Sequence, residues 1–277
     1  MLPTPCTSHV PFDRVYEPAE DSFLLLDTLS SPSETAFLAS RFPCQCTEAI
    51  TTPSPFTVEV GPGSGVVLAF LTAHAQTLFS RPDIVTLGVD VNWFACKATG
   101  ETVRKAVKEA MAPKKTGAGQ GEGNGYKDGT GYFLSAVQGD LTSALRPGEV
   151  DVLVFNPPYV PTDSVPEVFP TTTTSLATGK PTTTYEEDSC LLALSYAGGK
   201  DGMEVTDRLI AQLPQVLSSR GVAYLLLCAQ NKPEEVKKKI RSMEGGGPNG
   251  WRAETVGTSG KKAGWEKLQI VRIWRDI

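Results

Sequence analysis

The chain has 277 residues, 40% hydrophobic and 21% charged, which is the composition of an ordinary globular protein and excludes wholesale disorder. The net charge of −5 excludes the broad basic excess that grips long DNA or RNA, and no apolar run approaches the ~18 residues that span a bilayer. With two histidines, six scattered cysteines and a first stretch that lacks the charged and apolar pattern of a secretory leader, we expect reduced thiols, a cytoplasmic or nuclear location and no metal site.

Residues 1–55 form a predicted N-terminal segment in which a single stretch carries a clear pattern. Tyr16-Glu17-Pro18-Ala19-Glu20-Asp21-Ser22 is a polar entry with a proline suited to a first helical turn, and Phe23 and several leucines follow it. We therefore predict a helix with an apolar face at this place.

From residue 56 onward, apolar runs alternate between the periods of strands and helices, which is typical of a mostly parallel α/β sheet. Predicted strands cover 56–60, 84–90, 133–140, 150–155 and 222–229, predicted helices 66–77, 94–111, 203–217 and 233–243, and a predicted antiparallel hairpin 251–256 with 267–274. Polar, Gly-, Pro- or Thr-rich stretches near 112–131 and 161–187, and a glycine-rich loop at 245–248, break this rhythm and are predicted insertions or loops. The sequence thus predicts one α/β domain over 56–277.

A glycine-rich turn, Gly61-Pro62-Gly63-Ser64-Gly65, separates the first strand from its helix. Glycines let the backbone approach a ligand closely, although a tight turn without a ligand remains an alternative. Glu59 precedes the turn, and Asp90 ends the next strand, where a carboxylate can accept hydrogen bonds from ribose hydroxyls. An acid beside the loop suits S-adenosylmethionine (SAM), with its cationic groups, better than a pyrophosphate. Asp140, at the end of the third strand, is a candidate partner of an adenine amino group, and a solvated carboxylate at a strand end is the alternative.

The second chemical motif is Asn156-Pro157-Pro158-Tyr159, directly after the fourth strand. Two prolines fix φ and hold the preceding residues extended, so the asparagine amide is preorganised. Its oxygen and the Pro157 carbonyl can each accept one N–H of a planar amino group, which aligns the nitrogen for methyl transfer, and Tyr159 would stack on that group. The alternative is a rigid turn without a ligand.

With these motifs, and with Ala197-Gly198-Gly199-Lys200-Asp201-Gly202, the chain resembles the class I SAM-dependent methyltransferases, and within them the HemK-like enzymes that methylate glutamine in translation release factors. The resemblance implies a single Rossmann-like domain with a seven-stranded, mostly parallel sheet and a C-terminal antiparallel hairpin. It covers about Val15 to Trp274. The opening motif directly before the core looks like the eukaryotic and archaeal branch.

That branch implies a substrate, a partner and a set of roles. The substrate is the glutamine of the Gly-Gly-Gln loop of a class I release factor, methylated at N5 with S-adenosylhomocysteine as the second product. The partner is a small zinc-binding activator subunit in a heterodimer. By this resemblance Tyr16, Glu20 and Ser22 close over SAM, and Glu59, Gly61 and Gly63 hold its methionine end. Asp90 holds the ribose, and Asp140 with Leu141 holds the adenine. The glutamine amide is held by Asn156, Pro157 and Tyr159, and Asn156 also borders the cofactor.

Two departures from the family pattern and several alternatives remain at this point. Ser22 stands where threonine is common, and the Thr-rich stretch after Val160 is unusually long. The Asn-Pro-Pro-Tyr turn also occurs in adenine N6-methyltransferases of DNA or RNA, and that activity is one alternative. The others are methylation of histone lysine or of a small molecule, and a non-catalytic SAM-binding scaffold. For the activator, Val91, Trp93 and Phe94 are candidate contact residues, and ordinary core packing is the alternative.

Overall fold

The computed structural model describes residues 2–44, 46–47, 50–112, 129–166, 184–244, 246, 250–260 and 267–276. Its strands are β1 (Phe56–Val60), β2 (Val85–Asp90), β3 (Tyr132–Gln138), β4 (Val150–Phe155), β5 (Leu217–Cys228), β6 (Trp251–Thr258) and β7 (Leu268–Arg275). They form a seven-stranded sheet in the order β3-β2-β1-β4-β5-β7-β6. Strands β1 to β5 run parallel, and β7 is antiparallel to β5 and β6. The predicted Rossmann-like fold with its C-terminal antiparallel hairpin is confirmed.

Helices cover both faces of this sheet. They are α1 (Glu20–Leu29), α2 (Pro32–Arg41), α3 (Val66–Ala73), α4 (Ala75–Phe79), α5 (Trp93–Met111), α6 (Tyr185–Ala193), α7 (Glu204–Val216) and α8 (Pro233–Arg241). In β4, Val152 and Val154 belong to the same apolar cluster as residues of α1 to α4, whereas Leu153 and Phe155 belong to one with α7 and α8. Both faces of β4 are therefore buried, as the apolar run that follows Asp151 predicts. No described helix is long and apolar enough to cross a membrane.

The N-terminal segment contains more regular structure than its sequence pattern predicts. Helix α2 follows α1 because the Ser31 hydroxyl accepts the Glu34 N–H at 3.3 Å and Pro32 occupies the first turn. Two short strands, Cys46–Thr47 and Ile50–Thr51, pair antiparallel after it. Leu25 of α1 and Leu38 of α2 lie in the cluster that covers one face of β4.

The predicted insertions fall largely outside the described residues, which omit 113–128 and 167–183. Of the predicted glycine loop at 245–248, only Gly246 is described. Helix α6 begins inside the stretch assigned to the second insertion, because a capping box starts it. The Glu187 N–H donates to the Thr184 hydroxyl at 3.2 Å, and the Thr184 N–H donates to the Glu187 carboxylate at 2.7 Å.

The order in which the chain adds strands to the sheet reverses between β1 and β4, although the two strands run parallel. The chain moves outward from β1 through β2 to β3, and then returns to place β4 on the other side of β1. In open α/β sheets, ligands bind at the carboxyl ends of strands beside such a reversal. The glycine loop follows β1, Asp90 ends β2 and Asn156 follows β4, so the fold gathers the predicted motifs at one edge of the sheet.

Candidate active site

A cavity of about 390 Å³ lies at the carboxyl ends of β1, β2 and β4. Nine of the predicted site residues line it: Tyr16, Ser22, Glu59, Gly61, Gly63, Asp90, Asp140, Leu141 and Asn156. Residues from four strand ends and the N-terminal segment thus meet in one pocket.

The glycine loop adopts a backbone that favours glycine. Gly61, Gly63 and Gly65 have φ values of 61°, 53° and 78°, in the left-handed region. A Cβ on Gly63 would meet nothing within 4 Å, whereas a Cβ on Gly65 would lie 2.5 Å from the Cα of Thr99. Gly63 therefore leaves its backbone open to the cavity, and Gly65 allows α3 and α5 to pack closely.

Glu59 places an unpaired carboxylate oxygen at the cavity. Its side chain is 2% exposed, and its Oε2 has no hydrogen-bond partner among the described residues. Burial raises the pKa of Glu59 well above its usual range, and the neighbouring Asp90 carboxylate raises it further, against a lowering hydrogen bond from the Leu68 backbone. Because a buried acceptor without a donor is costly, this oxygen is suited to a donor on a ligand, above all a cationic one.

Asp90 supports the glycine loop and also lines the cavity. Its Oδ2 accepts the Gly63 N–H at 3.1 Å, and its Oδ1 accepts the Asn92 N–H at 2.8 Å. Burial raises its pKa to about 6 although both hydrogen bonds lower it. Since each carboxylate oxygen has two lone pairs, the group can still accept hydrogen bonds from a ligand.

Asp140 and Leu141, which follow β3, also line the cavity. The Asp140 carboxylate is ion-paired with Arg208 of α7, a partner that the sequence pattern did not reveal. Both side chains are about half exposed. Leu141 is buried and has a φ of 50°, a conformation that is rare for a bulky residue and clusters at functional sites.

Asn156 is held by a residue that the sequence analysis missed as part of the site. Its Nδ2 donates to Oδ2 of Asp21 at 3.0 Å. Asp21 is 2% exposed, and its Oδ1 accepts from the Ser22 backbone N–H at 2.6 Å and the Ser22 hydroxyl at 3.2 Å. The Asn156 Oδ1 is buried without a hydrogen-bond partner in the described structure. Asp21 therefore fixes the amide so that its oxygen is left to accept.

The remaining predicted residues do not line the cavity. Glu20 begins α1 with an exposed side chain. Pro157 is buried in the turn, and the partly buried Tyr159 packs against the apolar cluster of α1 to α4. The Tyr159 carbonyl accepts a hydrogen bond from Asn231 at 3.0 Å. Tyr159 thus does not line the cavity, where the expected stacking on an amide group would require its ring.

A second group of lining residues was not predicted and lies between the N-terminal segment and α6. Leu191, Leu194 and Ser195 line the cavity from the α6 side. Arg14 also lines it, and its guanidinium pairs with Asp188 of α6 at 2.9 Å. Two leucines make this wall partly apolar, and an ion pair ties it to the N-terminal segment.

These features fit SAM. The unpaired Glu59 oxygen suits the amino group of the methionine part, and the open backbone at Gly63 admits a ligand against the loop. Asp90 retains acceptor capacity for ribose hydroxyls. Among the described residues, no three His, Cys, Asp or Glu side chains gather as metal ligands do.

Comparison with known proteins places the chain in a family, although no family model matches it. It is 32% identical to the eRF1 methyltransferase catalytic subunit mtq2 of Schizosaccharomyces pombe, over 99% of this chain and 96% of the relative. It is 32% identical to Methyltransferase HEMK2 of Homo sapiens, over 99% and 97%. For HEMK2 of Mus musculus the identity is 34%, over 88% of both chains. The protein therefore belongs to the mtq2 and HEMK2 family of class I SAM-dependent methyltransferases.

Proposed function

We propose that this chain transfers a methyl group from SAM to the side-chain amide of the glutamine in the Gly-Gly-Gln loop of a class I release factor. The observation that carries the proposal is the Asn156 amide, with its Nδ2 tied to Asp21 and its Oδ1 buried and unpaired. Such an oxygen suits an amino group of an amide or a nucleobase. The relative from S. pombe is named for methylation of eRF1, which favours the amide.

The residues of the turn orient the substrate. Asn156 Oδ1 accepts one N–H of the glutamine amide. The carbonyl of the buried Pro157, whose neighbours Asn156 and Pro158 both line the cavity, accepts the other, so the nitrogen lone pair faces the methyl donor. An amide nitrogen is a weak base but keeps its protons until the new bond forms. The methylated nitrogen then loses one of these protons to water, so no strong general base is required, and the acceptors stabilise the positive charge that develops on nitrogen before that loss.

The other side of the cavity holds the methyl donor. When bound, SAM supplies a methyl group on a positively charged sulfur. Glu59 and the backbone of Gly61 and Gly63 hold the methionine part, Asp90 holds the ribose, and Asp140 with Leu141 holds the adenine. Tyr16 and Ser22, through which the N-terminal segment lines the cavity, cover the cofactor and exclude water from the reacting groups.

The test is the partition of radiolabel from SAM among candidate substrates. The enzyme is incubated in separate reactions with release factor, with DNA and RNA, and with histones. We expect label in the release factor with wild-type enzyme and none with Asn156→Ala. Label that enters only nucleic acid or only histone lysine would replace the proposed activity with one of those alternatives.

We further propose that an activator subunit covers the outer edge of the sheet, as the words "catalytic subunit" in the name of the S. pombe relative suggest. Strand β3 pairs on one side only, with β2, in the described sheet. Tyr132 and Leu134 of β3 are 66% and 61% exposed, and Met111 at the end of α5 is 55% exposed. An unpaired edge with large exposed apolar side chains is a typical protein-binding surface.

The earlier candidates for this contact need revision. Trp93 is 37% exposed, but Phe94 is 9% exposed and packs with Val10 and Val15. Val91 lines the cavity. Phe94 and Val91 thus have other roles, because the start of α5 turns inward against the N-terminal segment.

Co-expression with a small zinc-binding protein tests the surface. We expect Leu134→Lys to lose co-purification, whereas Thr258→Lys, at the opposite edge of the sheet, keeps it. Retention of the partner by Leu134→Lys would move the interface elsewhere, and a monodisperse, fully active chain on its own would remove the need for a partner.

A further inference from the structure

The Ala197–Gly202 motif has no role in the mechanism above, yet it packs directly behind the catalytic turn. The Val160 N–H donates to the Tyr196 carbonyl at 3.0 Å, and the Gly198 N–H donates to the Val160 carbonyl at 2.8 Å. A Cβ on Gly198 would lie 2.5 Å from the Pro158 carbonyl oxygen, and a Cβ on Gly202 would overlap the Tyr159 carbonyl. The glycines therefore let this loop touch the backbone of the turn.

Asn231 joins the loop and the turn to the sheet. It lies in the short 3₁₀ turn Ala229–Asn231 after β5 and is 1% exposed. Its Oδ1 accepts the Cys228 N–H at 2.8 Å. Its Nδ2 donates to the carbonyls of Tyr159 at 3.0 Å, Asp201 at 3.0 Å and Gly202 at 3.3 Å. One buried amide thus connects three separate segments of chain.

We propose that Asn231 is a positioning residue for methyl transfer. The prolines fix φ at 157 and 158, but they leave ψ free to rotate the carbonyls of the turn. Holding the Tyr159 carbonyl restricts that rotation from the far end, while Asp21 fixes the Asn156 side chain from the near end. Asn156 Oδ1 and the Pro157 carbonyl, the two groups that accept from the substrate amide, then keep one direction. The inference rests on the proposed amide methylation.

Two variants separate the donor role of Asn231 from its volume. Asn231→Asp keeps the size and the acceptor for the Cys228 N–H, but it replaces the donor by an oxygen that faces three carbonyls. Asn231→Ala removes the donor, the acceptor and most of the side-chain volume. We expect both variants to lower kcat about 10- to 100-fold, because small displacements of a reacting group have effects of that order. SAM affinity by calorimetry and KM for the release factor stay within about threefold, since the cofactor contacts are untouched.

The matched control is Glu34→Gln, at a buried polar residue that does not line the cavity. Glu34 accepts from the Tyr224 hydroxyl at 2.8 Å and from Arg272 at 2.8 Å, so its substitution lowers Tm without touching the turn. We expect wild-type kcat in this variant. If Asn231→Ala does not fold, Asn231→Ser keeps one hydroxyl donor and should give a kcat between those of Asn231→Asp and the wild type.

Hydrogen–deuterium exchange gives a readout besides activity. The Val160 and Gly198 amides should exchange faster in the Asn231 variants and at the wild-type rate in Glu34→Gln. Wild-type kcat in Asn231→Asp, or equal losses of kcat in Glu34→Gln and Asn231→Ala at equal Tm, would overturn the inference. A wild-type enzyme that leaves glutamine unmodified would instead overturn the proposed function, so the two failures are distinguishable.

Discussion

Asp21→Asn tests whether the orientation of the Asn156 amide controls methyl transfer. The substitution keeps the shape of the side chain but leaves it one acceptor oxygen, which two Ser22 donors hold on the other side. Its NH₂ group therefore faces the NH₂ group of Asn156 across the 3.0 Å contact. Asn156 must then lose the bond or flip, and a flip presents a donor where the substrate needs an acceptor. A hydrogen bond to a charged group contributes about 1.5–3 kcal/mol. At about 1.4 kcal/mol per tenfold change in rate, kcat should fall about 10- to 150-fold.

The assay is single-turnover transfer of labelled methyl from SAM to the release factor, with SAM affinity measured by calorimetry. Asp27→Asn is the matched control, because it makes the same chemical change on an exposed residue of the same helix. We expect the control to keep wild-type kcat, and Asp21→Asn to bind SAM within about threefold of wild type. Unchanged kcat in Asp21→Asn, or a loss of SAM affinity as large as the loss of kcat, would refute this role.

Three further predictions follow from the geometry of the cavity. Burial raises the pKa of Asp90 to about 6 in the free protein, and hydroxyls bound to its carboxylate favour the ionised form. SAM affinity by calorimetry should therefore fall up to about tenfold for each pH unit below about 6. An affinity that does not change with pH would contradict this. Asn156→Ala should abolish transfer while calorimetry still detects SAM binding, and parallel losses would indicate a cofactor role alone. In urea denaturation, Gly65→Ala should cost about 2–5 kcal/mol, because its Cβ would meet Thr99. Gly148→Ala, with similar φ but open space, should cost about 1–2 kcal/mol, and equal losses would contradict the packing argument.

The sheet was predictable because local patterns specify it. Strand and helix periods alternate, and β4 has the bounds that its largely apolar sequence predicts. The structure starts β5 five residues before the predicted strand, because the residues between Leu217 and Val222 are polar or glycine and carry no strand pattern. They extend the strand because Asp151 accepts from the Ser218 hydroxyl at 2.7 Å and from Arg220 at 2.9 Å. Tertiary hydrogen bonds there outweigh local propensity.

Two helices were missed although their caps are present in the sequence. Ser31 starts α2 and Thr184 starts α6, and each precedes a glutamate by three residues, which is the spacing of a capping box. Their weak apolar faces hid them, since α6 has no buried residue. The cap is a better indicator than periodicity for such short helices.

The site residues with local motifs were found, but those that act on them were not. Asp21 and Asn156 are 135 positions apart, and Asp140 and Arg208 are 68 apart. Only the folded sheet brings such pairs together. One pattern did point to Asp21: it lies four residues before Leu25 on the buried face of α1, where an acid requires a partner.

Tandem mass spectrometry of release factor treated with enzyme, activator and SAM tests the central claim most directly. We expect one methyl group on the side-chain nitrogen of the glutamine in the Gly-Gly-Gln loop, absent when Asn156→Ala replaces the wild type. An unmodified glutamine, with methyl groups found on lysine or on adenine in parallel reactions, would contradict the assignment of the Asn156 oxygen to a glutamine amide.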